Sequence, residues 1–305
     1  MVTVEPIYNC CNDEMIFISP VWDGCQTIAV LIQSYADRNN WPNDIMLIGE
    51  GGGIDIFKFK EQLRSIAWNA NGLLWVSTPR GLGLWEKCQP LSIIYPDFFG
   101  GNLLALGNTS VLFVRGGTEV TIIERNGSSF LTKQLHFKNP TLMATHFPRV
   151  TIFPGKGVAF SLEHGLVQFQ DGSDYRFPGA TIGRPCLGLW CLGGFLYSLS
   201  DVTEIEKNHE LIVVPSNLGG SPWLYQFKEV LITAKPSTSL HCFLFSLIES
   251  TQVLRGIDVR TGSRLLEIDP GIGEIQAMVD VKEAIFCFGN KGVVKVGYKG
   301  EQEKF

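Results

Sequence analysis

The sequence lacks a long apolar run; none reaches the eighteen or more residues of a membrane span. It also lacks any run of five or more Lys and Arg, and its net charge is −5. That excludes a general nucleic-acid binder, which needs a basic face to displace counterions from phosphates. The opening residues, MVTVEPIYNCCNDEM, have neither a basic n-region nor an apolar h-region, so they do not read as a secretory signal. No segment holds three or more turns of clean i, i+3, i+4 apolar spacing, so helix should be scarce.

Motifs for familiar chemistry are missing as well. The five histidines, at 136, 146, 164, 209 and 241, form no HxH, HExxH or HxxxH spacing, so no zinc site is legible. His164, in the turn SLEHGL, reads as a solvated turn residue, and His241 as a core-edge residue opening a strand. There is no GxSxG nucleophile elbow. The eight cysteines form no CxxC, and several stand in apolar runs such as HCFLF and AIFCF. They read as small buried hydrophobes and not as a disulfide framework, which places the chain in a reducing cytoplasm. GEGGG at 49–53 lacks the Lys-Ser/Thr of a phosphate loop and precedes a strand, so it reads as a hairpin turn. No cofactor is expected.

What is present is β-structure. Hydrophobic residues make up 45% of the 305 and charged ones 18%, and 33 glycines and 15 prolines are spread throughout as turn markers. The clearest stretch is 63–86, LRSIAWNANGLLWVSTPRGLGLWE. It reads as strands at 63–68, 73–78 and 82–85, joined by turns on Asn71-Gly72 and on Pro79 to Gly81.

That pattern resembles the repeat of two-component-regulator-type β-propellers, in which LW(I/V)GT is followed by GGL; here Ser77-Thr78 and Arg80-Gly81-Leu82 hold those places. GIDVRTGSRLLEI at 256–268 likewise resembles the strand–turn–strand of quinoprotein-type and WD40-like propellers. The resemblance implies a propeller fold. It also implies a ligand-sensing ancestry, although sensor members sit in long membrane receptors and this chain shows no span.

Further strand candidates recur in seven units of about 44 residues each, the spacing of four-stranded blades. The units are 15–60, 61–96, 101–138, 147–178, 185–216, 228–269 and 273–299. The fifth, with strands at 187–191, 195–199, 202–205 and 211–215, is the least regular. The seventh has three strands, and 2–8 supplies a spare one. The expected fold is therefore all-β: a single seven-bladed β-propeller of four-stranded antiparallel blades, closed by the N-terminal strand in the last blade.

Candidate contact residues come from loops. The polar segment 34–44, SYADRNNWPND, carries Tyr35, Arg38 and Trp41, types enriched at interface hot spots. Phe98-Phe99 and Pro222-Trp223 put large apolar side chains in what read as blade-to-blade connections. With no catalytic or metal constellation legible, the expected function is a non-catalytic module. It would dock a protein partner, not nucleic acid or membrane, through its loop face, as a scaffold subunit or an inhibitor-type protein. The alternative is a propeller hydrolase or lyase with a metal in the axial tunnel.

Overall fold

A computed structural model describes residues 2–10, 14–37, 40–49, 51–68, 72–98, 101–106, 110–115, 119–126, 129–136, 149–201 and 208–298. The strands form seven four-stranded antiparallel sheets arranged as the blades of a propeller. Blade one is β2 (Met15–Trp22), β3 (Thr27–Ser34), β4 (Asp44–Gly49) and β5 (Ile54–Lys58); blade two is β6 (Ser65–Trp68), β7 (Leu74–Thr78), β8 (Gly81–Trp85) and β9 (Ser92–Tyr95). Blade three is β10 (Asn102–Ala105), β11 (Ser110–Arg115), β12 (Glu119–Asn126) and β13 (Ser129–Leu135); blade four is β14 (Val150–Phe153), β15 (Gly157–Glu163), β16 (Leu166–Phe169) and β17 (Asp174–Arg176). Blade five is β18 (Cys186–Leu192), β19 (Phe195–Ser200), β20 (His209–Pro215) and β21 (Trp223–Phe227). Blade six is β22 (Leu231–Ser237), β23 (Cys242–Leu247), β24 (Ser250–Ile257) and β25 (Arg264–Ile268). Blade seven joins β26 (Ile275–Val281), β27 (Ala284–Gly289) and β28 (Gly292–Tyr298) to the N-terminal β1 (Val2–Asn9).

The ring therefore closes as the spare and missing strands imply. Val2 pairs with Tyr298 and Asn9 with Gly292, so β28 has no open edge. Helix is limited, among the described residues, to one short 3-10 turn at Tyr35–Asp37, and no helix is long and apolar enough to cross a membrane.

Continuous apolar strands such as IAVLI in β3 follow from burial on both sheet faces. Ile28, Val30 and Ile32 pack against Val279, Phe286 and Phe288 of blade seven. Ala29 and Leu31, on the opposite face, pack against Ile66, Leu74 and Val76 of blade two. The same division recurs around the ring, giving one apolar cluster per seam. Such strands cannot alternate apolar and polar, because both faces exclude water.

The first strand of each sheet lies toward the axis, where β2 packs on β6 and β26, and β18 on β14 and β22. Polar side chains tie these inner strands to one another. Gln276 accepts from the Phe17 amide at 2.9 Å and donates to the Met15 carbonyl at 3.2 Å. Ser65 Oγ accepts from the Leu103 amide, and Thr151 Oγ1 from the Cys191 amide, both at 3.0 Å. Asp280 accepts from Ser237 Oγ at 2.7 Å and from the Thr238 amide and hydroxyl at 2.8 and 2.7 Å.

Three readings of the sequence need correction. The fifth blade takes its fourth strand from Trp223–Phe227, because β20 pairs directly with β19 and is thus the third strand; the strand expected at 202–205 lies outside the described residues. His241 is not at a core edge: it is exposed at a φ of 51° in the turn before β23. His164 is fully buried, for reasons given below. The third-blade turns expected at 107–110, 115–118 and 126–129 lie largely outside the described residues.

Candidate functional site

Antiparallel alternation decides which loops share an end of the ring. The turns between second and third strands and the blade-to-blade connections lie at one end; the remaining turns lie at the other. Residues 35–43 join β3 to β4, and 59–64 join β5 to β6, so both stand at the first end. Gln33, almost fully buried, organises the loop: its amide donates to the carbonyls of Asp37 and Asn40, the latter at 2.7 Å. The blade connection is bound to the same loop by the Leu63 amide on the Pro42 carbonyl, 2.7 Å, and the Phe59 amide on Asn43, 2.8 Å.

This doubled loop presents Trp41, which is 46% exposed. One face of its ring is covered by the Arg64 guanidinium, 4.2 Å from the ring centroid. Such a stack holds the indole in place and contributes about 0.5–1 kcal/mol at an exposed site. On the same blade connection Glu61 pairs with Arg80 from the turn of blade two. Arg64 Nε, Glu61 Oε2 and Asp44 Oδ1 are buried without a hydrogen-bond partner among the described residues. Burial pushes the Asp44 carboxyl up, and Lys58 opposes this. An aromatic anchor thus stands on a pre-ordered loop, which suits recognition of an apolar side chain of a partner.

Of the other expected contact residues, Phe98 and Trp223 do not join it, and three fall outside the described side chains. Tyr35 opens the 3-10 turn, and its side chain is outside the description, as are Arg38 and Phe99. Phe98 is at the same end but belongs to the core, half-buried against Tyr95 and Phe113 at 5.2 and 5.3 Å. Trp223 is not in a blade connection. It opens the outermost strand of blade five, packs on Phe195 at 5.4 Å, and follows a third-to-fourth-strand turn at the opposite end.

Sequence reading missed a buried polar cluster at the seam of blades four and five. His164 is completely buried because its turn is inserted against blade five. Its Nε2 lies 3.0 Å from Glu210 Oε1 and its Nδ1 3.1 Å from Ser198 Oγ. Burial holds the imidazole below its usual pKa against the opposing pull of Glu210. Burial raises the Glu210 carboxyl, but the Thr181 amide and hydroxyl at 3.0 and 2.9 Å, together with His164, bring it below the usual range. On the neutral ring Nε2–H donates to the carboxylate and Nδ1 accepts the Ser198 hydroxyl proton. Ser198 Oγ itself accepts from the Gly165 amide at 3.0 Å and is fully buried, so it meets no substrate. The set fastens two blades together. The only local signal was Glu163-His164-Gly165 at a tight turn, which does not reveal a partner 46 residues away.

In the inner ring, burial pushes the Lys235 ammonium down while Asp280 opposes it. Among the described residues no group of three or more His, Cys, Asp or Glu is placed to hold a metal ion.

No family model and no curated protein matches the chain. Solved structures of similar fold include a catalytically inactive virginiamycin B lyase from Staphylococcus aureus with quinupristin (TM-score 0.66, 12% identity, 98% of this chain and 100% of that one). YCF48 bound to D1 peptide aligns with TM-score 0.63 at 10% identity, over 100% of this chain and 97% of that one. The WD40 propeller domain of Doa1 aligns with TM-score 0.64 at 10% identity, over 99% and 98%. At these identities the likeness carries the fold, a repeat-type β-propeller.

Proposed function

We propose that this chain is a non-catalytic protein-binding propeller that docks a protein partner through the end of its ring bearing Trp41. The observation that carries the reading is the half-exposed Trp41, held by Arg64 on a loop fastened to the neighbouring blade connection. A large aromatic presented on a pre-ordered loop binds without the entropy cost of ordering it on contact. YCF48, of the same fold, is known with a bound peptide, which supports peptide or protein recognition as a use of such a ring. Scaffold subunit and inhibitor-type module both fit this reading.

The test is an affinity pull-down from the native source with wild-type chain and Trp41→Ala, with elemental analysis of the same preparations. A stoichiometric protein recovered by the wild type and lost in the variant is the expected result. A bound metal with no partner would overturn it in favour of a hydrolase or lyase working in the axial tunnel.

A further inference from the structure

Blades radiate from an axis, so the gap between neighbouring sheets widens outward and must be filled by large side chains. At the seam of blades one and two Phe57 and Phe59 do this, packing edge-on against Trp85 at 5.0 and 5.3 Å. At the seam of blades seven and one the corresponding wall offers Thr3, Ala284 and Gly297, and a cleft of about 500 Å³ remains. It opens at the end of the ring opposite Trp41, since it runs along the β2–β3 and β26–β27 turns. That volume is in the range that encloses a small organic ligand.

The lining specifies the chemistry. Ile28, Ile48 and Phe286 give an apolar floor, and Trp22 adds an aromatic wall. Every charged side chain comes from blade seven: Glu5, Lys282, Glu283 and Lys295. Lys295 Nζ is 3.9 Å from Glu5 Oε2, beyond hydrogen-bond distance, so the pair is loose. The Lys295 side chain is 38% exposed and that of Glu5 66%, so Lys295 is the more covered member of the pair. An apolar body with one anionic head matches this order of groups.

We propose that the cleft binds a small carboxylate with an aromatic or branched apolar body, its body between Trp22 and the floor and its carboxylate on Lys295. The site is independent of the Trp41 surface and survives if that reading fails.

Gly297 makes the proposal testable. It has no positive φ, and a Cβ built there meets Glu283 O at 3.5 Å and Ala284 Cβ at 3.6 Å, ordinary contacts. Gly297→Val therefore fits β28 and places its methyls in the cleft. Ligand-observed NMR would compare phenylacetate, indole-3-acetate and 4-methylpentanoate with neutral phenylacetamide and cationic phenethylamine. The acids should bind, with affinity falling about tenfold or more in Gly297→Val and in Lys295→Met. Bound acid should also slow alkylation of Cys25, an exposed thiol lining the cleft, and leave the exposed Cys88 unaffected. A tripeptide ending in phenylalanine separates a free acid from a protein C-terminus. Its binding about tenfold tighter than phenylacetate would overturn the small-molecule form of the proposal. No acid binding at millimolar concentration, preference for the amine, or binding unchanged in both variants would overturn it altogether. Melting temperature confirms folding of each variant, and Lys295→Met at the half-exposed position decides the matter should Gly297→Val not fold.

Discussion

Replacing His164 by alanine removes the imidazole's bonds between blades four and five and leaves the Gly165 amide on Ser198 and the Cys191 amide on Thr151. Glu210 keeps the Thr181 amide and hydroxyl and a 3.5 Å contact with the Gln226 amide, so its carboxylate stays ionised but loses the imidazole donor at 3.0 Å. A hydrogen bond to a charged group contributes about 1.5–3 kcal/mol, and the Ser198 hydroxyl left without its acceptor costs about 1–3 kcal/mol more. Together the expected loss is about 3–5 kcal/mol. With a melting entropy of about 2.1 cal/mol/K per residue, a chain of this length should melt about 5–8 °C lower. Calorimetry at pH 7.5 would measure this, and His164→Gln, which keeps a donor, should recover part of it. The pH dependence supplies a second readout. Burial depresses both His164 and His209 in the folded chain, from a usual value of 6.5. As pH falls below 6.5 the unfolded chain takes up protons that the folded chain refuses, so stability is lost, by at most about 1.4 kcal/mol per pH unit for each ring. Between pH 6.5 and about 5.5, above the carboxylate range, His164→Ala should remove its share of that slope and leave that of His209. A melting temperature within about 1 °C of wild type, or an unchanged slope, would refute the assignment of the cluster as a seam fastener.

Trp41→Ala loses the Arg64 stack and the cover over half the indole and should cost about 1–3 kcal/mol in a melting experiment, while abolishing partner recovery. A large drop in stability would mean that Trp41 is a packing residue. Leu31→Ala, at a fully buried position between blades one and two, should destabilise by about 2–5 kcal/mol in urea titration. Gly81→Ala should be at least as severe, on the order of 3 kcal/mol or more. Its φ is +141°, and an added Cβ would stand 2.3 Å from the Tyr95 carbonyl oxygen, so normal stability would contradict the β8–β9 register. Deleting residues 2–9 leaves β28 an open edge, and light scattering should show concentration-dependent association absent from the full chain.

The architecture was legible because its determinants are local. Asn71-Gly72 and Pro79 to Gly81 specify tight turns whatever lies elsewhere, and the expected hairpins differ from β6, β7 and β8 by two residues or fewer at any boundary. The turn expected at 49–53 is borne out at its described glycines, with the Gly49 amide on the Gly53 carbonyl at 2.8 Å. Closure was legible by counting, since a three-strand last unit and a spare first strand imply each other. His164 was not, because its burial is decided by Ser198 and Glu210, on strands of another blade. Phe98 stands in the blade connection that its sequence announces, but the sequence could not show that Phe113 of the next blade receives its ring.

The error at Trp223 shows how a propeller turns a local mistake into a functional one. In a four-stranded antiparallel blade the end at which a loop stands depends only on whether an odd or even number of strands precedes it. Reading 202–205 as a strand made 211–215 the fourth strand of blade five, so the following loop became a blade connection at the Trp41 end. The direct pairing of Phe195 with Pro215 and Leu199 with Leu211 makes β20 the third strand. The loop before Trp223 therefore stands at the other end, and Trp223 itself lies in β21. Two aromatic residues that look equivalent in sequence thus stand at opposite ends of the ring. A partner bound over Trp41 should be indifferent to Trp223→Ala except through stability, and equal loss of the partner in both variants, with each folded, would mean that the partner reaches around the ring.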